Sequence, residues 1–161
     1  MFIATLSTAS TLTAQEKNPT AMVQERLTYM KSNLTLPSQE SQSFWKVYEE
    51  YLNAEMKIMT NYRKNLEKQG IKLGAPGTNK ETIAKLNDKQ LTYLQDQKFE
   101  MRKNILNLEI SYYKKYKAIL KPHTLQNLYD LEYKYKKTMT EKRKESKKVE
   151  PLIVNPGKKK R

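Results

Sequence analysis

Leu36-Pro37-Ser38-Gln39-Glu40-Ser41-Gln42-Ser43-Phe44-Trp45-Lys46-Val47-Tyr48 is one of two stretches that decide how this chain folds. Its counterpart is Leu120-Lys121-Pro122-His123-Thr124-Leu125-Gln126-Asn127-Leu128-Tyr129. Each sets a leucine just ahead of a proline and then opens an amphipathic run. Proline is tolerated in the first helical turn, where the amide it lacks would have no intrahelical acceptor. Both stretches therefore predict helix starts.

Upstream, Val23, Leu27, Met30 and Leu34 recur at steps of four, three and four, which gives one apolar face to a first helix over Thr20–Asn33. Ser38 is expected to cap a second helix reaching about Gln69, with Phe44, Tyr48, Tyr51, Leu52, Met59, Tyr62 and Leu66 as its stripe. Gly70 and the loop Gly74-Ala75-Pro76-Gly77 end that helix. Thr78-Asn79-Lys80-Glu81 has the form of a capping box, and neither Gly nor Pro follows before Pro122. A third helix is thus expected from Thr78 to Leu120. Its seam is Ile83, Leu86, Leu94, Met101, Ile105, Leu108, Tyr112, Tyr116 and Ile119. A fourth carries Leu125, Leu128, Tyr129 and Tyr135 as far as about Lys148.

The expected fold class is all-α, an elongated four-helix hairpin arrangement in which the 70–77 loop sets two long helices antiparallel. A hairpin this thin buries little apolar surface by itself, which predicts a homodimer. Composition agrees with a polar helical chain. The 161 residues suffice for one domain, 37% are apolar, and only four are glycine. With no cysteine, disulfides and thiolate metal sites are excluded, and the single histidine, His123, removes most catalytic and zinc constellations.

The net charge of +14 points to anionic partners. Residues 141–161 hold nine Lys or Arg against three Glu, so much of the excess lies in a tail, expected to be disordered over 149–161. Residues 1–14 carry no charge, are mildly apolar and rich in Ser and Thr, and end in Ala14 before Gln15. They are read as the remnant of a signal peptide, and residues 15–148 as the exported domain.

The two Leu-Pro helix starts resemble the repeated Leu-Thr-x-x-Gln signature of the Spy/CpxP family of periplasmic helical chaperones. Leu34-Thr35-Leu36-Pro37 running into Phe44-Trp45-Lys46-Val47-Tyr48-Glu49-Glu50-Tyr51 is similar to the form common in Bacteroidetes-type members. Here Pro37 stands where the family has Thr and Ser38 where it has Pro, and Lys121 replaces the second Thr. Leu36, Pro37, Ser38, Phe44, Trp45, Leu120 and Pro122 are the motif positions, read as caps and core. The resemblance spans about residues 22–145. It implies a cradle-like homodimer that holds unfolded or partly folded clients without ATP. Tyr112, Tyr113, Lys114, Tyr116 and Lys117, with Tyr133, Lys134, Tyr135 and Lys137, are the candidate client-binding residues. Tyrosine rings are sticky yet wettable, and interleaved lysines attract acidic segments. The plainer reading is a solvated lysine face beside half-buried tyrosines.

Some members of the family act instead as envelope-stress sensors that regulate an extracytoplasmic-function sigma factor through a membrane partner. That alternative needs only a protein-binding face. A third reading uses the basic tail on anionic lipid. Nucleic acid is disfavoured because Lys142-Arg143-Lys144 and Lys158-Lys159-Lys160-Arg161 come with no recognition motif. No nucleophile–base pair or Gly-rich phosphate loop is present, so the chain is read as a non-enzyme without cofactor. Met56 and Met59, a turn apart, are read as packing rather than metal ligands.

Overall fold

In the computed structural model five helices follow one another: α1 (Pro19–Asn33), α2 (Ser38–Lys68), α3 (Lys80–Ala84), α4 (Asp88–Ile119) and α5 (Pro122–Lys148). The structure describes residues 18–74 and 79–148. Helix makes up 86% of these, with no strand among them, so the fold is all-α. The expected signal remnant, the basic tail and Thr78 lie outside the described residues.

The helix boundaries follow local chemistry. Asn18 caps α1: its Oδ1 accepts from the Thr20 amide at 3.0 Å, and Pro19 takes the first helical position. At α2 the cap lies one residue earlier than the sequence suggests. The amides of Glu40 and Ser41 both close on the Pro37 carbonyl at 3.0 Å, so Ser38 is the first helical residue rather than the cap. At α5 the Leu125 amide closes on the Lys121 carbonyl at 2.9 Å, which puts Pro122 where its missing amide costs nothing.

The long third helix expected over 78–120 is divided. A short α3 begins after Asn79, which makes no side-chain cap bond, and it closes with tight turns from Lys85 to Thr82 and Leu86 to Ile83. The capping box lies nine residues beyond the one expected. The Gln90 amide donates to Asn87 Oδ1 at 2.9 Å, and the Asn87 amide donates to Gln90 Oε1 at 3.2 Å. Two orphan donors satisfied reciprocally make Asn87 a strong start for α4.

The described chain forms two compact units. The first takes residues 50–110 with the opening turns of α1 up to Gln24; the second takes Glu25–Glu49 with the chain from Ser111 onward. In the first unit α2 and α4 run antiparallel. The Gln90 side chain reaches the Gln69 carbonyl, and Asn65 meets Gln97 at 3.1 Å. Leu66, Ile71 and Leu94 are buried together, with Tyr62, Leu73, Leu86 and Tyr93 packed against them.

The turn after α2 is a Schellman cap. The Ile71 amide bonds the Leu66 carbonyl at 3.0 Å and the Gly70 amide bonds the Glu67 carbonyl at 2.9 Å, with Gly70 at φ 73°. Leu66 and Ile71 are both fully buried, so the same turn supplies the apolar contact that such caps favour.

The second unit buries Leu27, Met30 and Leu34 of the α1 segment, Phe44 and Tyr48 of α2, and Tyr112, Tyr116 and Leu120 of the α4 segment. Leu125, Leu128 and Tyr135 of α5 are buried there too. Tyr129, placed in the core by periodicity, is exposed instead; so is Ile83 in the first unit.

Candidate functional site

Helix geometry splits each tyrosine–lysine run of the second unit between two faces. Successive side chains turn by about 100°, so Tyr112 and Tyr116 share one face and Tyr113 and Lys117 another. Tyr112 and Tyr116 point inward, their ring centroids 6.1 Å apart. Tyr116 continues into an aromatic cluster with Phe44 at 5.6 Å and Tyr48 at 6.4 Å, while Phe44 stacks on Tyr48 at 5.6 Å. Trp45 meets the edge of Phe44 at 4.9 Å and donates its indole N–H to Ser41 Oγ at 3.1 Å. Tyr135 is likewise buried, 5.1 Å from Tyr29. Tyr112, Tyr116 and Tyr135 are therefore core side chains and offer little surface to a client.

The remaining candidates lie at the surface, with Tyr113 and Lys117 on one face of α4. Tyr113, Lys114, Lys117, Tyr133, Lys134 and Lys137 are all exposed, Tyr133 to 70%. Tyr113 of α4 and Tyr129 of α5 bring their rings within 6.4 Å. The Lys117 ammonium sits 4.7 Å above the Tyr113 ring, and Lys115 sits 4.1 Å from Tyr112. These are cation–π distances, in which a charge and an apolar ring share one patch. Lys134 lines a small polar groove with Asn33, Thr35, Asn127 and Asp130. Of the motif positions, Phe44 and Leu120 are buried, Leu36 and Trp45 half-buried, and Pro37, Ser38 and Pro122 exposed.

The second unit also holds a polar node, centred on the buried Glu132, that the sequence reading did not single out. Arg26 of α1 donates Nε to Glu132 Oε1 of α5 at 3.2 Å and also pairs through Nη2 with Oε2, a bidentate ion pair. The Tyr48 hydroxyl of α2 donates to the same Oε1. Glu132 is buried, Tyr48 almost completely so, and the Arg26 guanidinium lies 5.9 Å from the Tyr135 ring.

Burial, and then the Glu132 carboxylate beside it, push the Tyr48 hydroxyl far above the ordinary tyrosine range. It is locked as a donor. One carboxylate thus joins three helices, and its charge is compensated on the spot. A signal for it was present in the sequence: Leu125, Leu128, Glu132 and Tyr135 recur at three, four and three, so Glu132 sits in core register.

Among the described residues no group of three or more His, Cys, Asp or Glu side chains converges to hold a metal ion. No described helix is long and apolar enough to cross a membrane. Comparison of the chain with protein-family models, with characterised proteins and with solved structures finds no match to any of them.

Proposed function

We propose that this protein is an ATP-independent, chaperone-like protein of the periplasm that holds unfolded or partly folded clients on the outer tyrosine–lysine face of its second unit. The observation that carries the reading is Tyr113 against Tyr129, with the Lys117 ammonium over the Tyr113 ring and Tyr133 standing in solvent. Rings with polar tips hold apolar segments weakly, and lysines draw in acidic ones, which suits binding that must be released. The Leu-Pro helix starts that resemble the Spy/CpxP signature support the same reading, as does the signal-like sequence of residues 1–14.

The test is light scattering from two unrelated denatured proteins as they aggregate, with the chain added at near-stoichiometric ratio and no nucleotide. Suppression of both, weakening as salt rises, is the expected result. Replacing Tyr113, Tyr129 and Tyr133 together by Ser should weaken suppression on the order of tenfold while leaving helix content unchanged, because the three rings are exposed. If neither client is protected, the holding function is wrong. Tight capture of a single membrane protein would then favour the alternative, a sensor acting through that partner on a sigma factor. Binding to anionic vesicles alone would favour a lipid-surface module.

A further inference from the structure

The antiparallel pair of α2 and α4 is not closed by apolar packing along its whole length. Away from Leu66 and Leu94, every residue over 53–65 of α2 and over 95–110 of α4 is half-buried or exposed. Helix α4 has two apolar lines in this stretch. Phe99, Leu106 and Ile110 stand exposed, while Met101, Ile105 and Leu108, in register with the buried Leu94, are half-buried. Between the helices here lies a cleft of about 100 Å³ lined by amides. Asn61 and Asn65 of α2 and Gln97 and Asn104 of α4 line it, with the Glu100 carboxylate beside them. The chain has 31 Lys or Arg, yet none of the eight residues lining this cleft is basic. Buried amides cost stability unless they are hydrogen-bonded, so a row of them at a helix–helix contact calls for a reason.

Their polar groups are arranged for use from outside. Asn65 donates Nδ2 to Gln97 Oε1 at 3.1 Å, which keeps the Gln97 amide hydrogens and the Asn65 Oδ1 acceptor for a ligand. Asn104 donates to Glu100 Oε1 at 3.3 Å and so steadies a carboxylate at the rim. Asn61, Glu100 and Asn104 are exposed, whereas Tyr62 and Met101 are half-buried and supply a floor.

We propose that this cleft binds an uncharged pyranose, free or as one unit of a glycan chain. The hydroxyls of such a ring both donate and accept, as the amides do. Two vicinal hydroxyls can donate together to one carboxylate, the role open to Glu100. The C–H face of the ring is apolar and packs on an aromatic ring or a thioether, here Tyr62 and Met101. An extended peptide fits less well, because its carbonyls would meet the acceptor-only Glu100. An anionic ligand would find no cation among the lining residues. The proposal does not depend on the client-holding reading, which uses residues of the second unit.

The test is saturation-transfer difference NMR of the full chain with methyl glycosides of glucose, galactose, mannose and N-acetylglucosamine, followed by titration. Short chains of each sugar that binds form the second arm. The best glycoside should bind with a Kd of about 1 mM, unaffected by salt because no charge pair forms. A chain that binds on the order of tenfold tighter identifies a glycan as the source, and equal affinities identify the free sugar. Asn61→Ala and Glu100→Gln should each weaken binding on the order of tenfold, with circular dichroism unchanged because both side chains are exposed. No transfer from any glycoside at about 10 mM overturns the proposal. So does binding that survives both variants, the result expected if sugar merely stacks on the exposed Tyr133 ring. Transfer from a neutral Gly-Ser peptide alone overturns it as well, in favour of a peptide groove.

Discussion

The two units of this protein are held together by different chemistry. The first closes on aliphatic side chains, Leu66, Ile71 and Leu94, around a turn whose own backbone bonds set the register. Two neutral amides, Asn65 and Gln97, meet across it at 3.1 Å. The second closes on aromatic rings and a buried ion pair, and the key partners lie far apart in the chain: Arg26 to Glu132 spans 106 positions and Tyr48 to Glu132 spans 84. Local closure tolerates loss of a single contact, because the turn still brings the two helices back together. A node that ties three helices through one carboxylate does not, since removing that carboxylate takes the shared acceptor from a partly buried guanidinium and a buried hydroxyl.

That contrast can be broken experimentally, and the single tryptophan makes it readable, because Trp45 lies in the second unit. The largest effect is expected from Glu132→Ala. Taking the carboxylate away from Arg26 and Tyr48 should cost roughly 3–5 kcal/mol, seen as a lower urea midpoint for Trp45 fluorescence. A shift under about 1 kcal/mol would mean that Arg26 reaches water and the node contributes little.

Next in size is an alkaline loss of stability. The folded-state pKa of Tyr48 lies above its ordinary value of 10.0, so its contribution is complete below that pH. As pH rises further, the unfolded chain ionises while the folded one resists, costing about 1.4 kcal/mol per pH unit. Urea midpoints between about pH 9 and 11 should fall more steeply for the native chain than for Tyr48→Phe; equal slopes would remove Tyr48 as the cause.

The smallest effect is expected in the first unit. Gly70→Ala forces an L side chain into φ 73°, at a cost of roughly 1–2 kcal/mol. It should lower the helix signal midpoint more than the Trp45 midpoint. Equal shifts in both probes would show that the units unfold as one.

Much of the architecture was legible in advance, and the misses have definite causes. Steps of three and four placed Val23, Leu27, Met30 and Leu34 correctly in the core, and Gly70 correctly ended α2. The break between α3 and α4 was missed because no Gly or Pro marks it. It is made by Asn87 and Gln90, a cap that satisfies amides as well as Thr and Glu would but lacks the usual letters. At the candidate face, composition showed tyrosines beside lysines without showing which would point inward. Tyr112 and Tyr113 are neighbours in sequence, yet one is core and the other surface.

Taken alone, the sequence determines the helices: periodic apolar positions, prolines at helix starts and a glycine that can adopt positive φ act over a few residues and need no distant partner. Only tertiary packing decided which of two apolar lines on α4 would be buried, and which carboxylate among 17 acidic residues would be taken from water. Burial depends on what the rest of the chain brings within reach. Glu132 is tolerated inside because Arg26 and Tyr48, on two other helices, arrive together to compensate it.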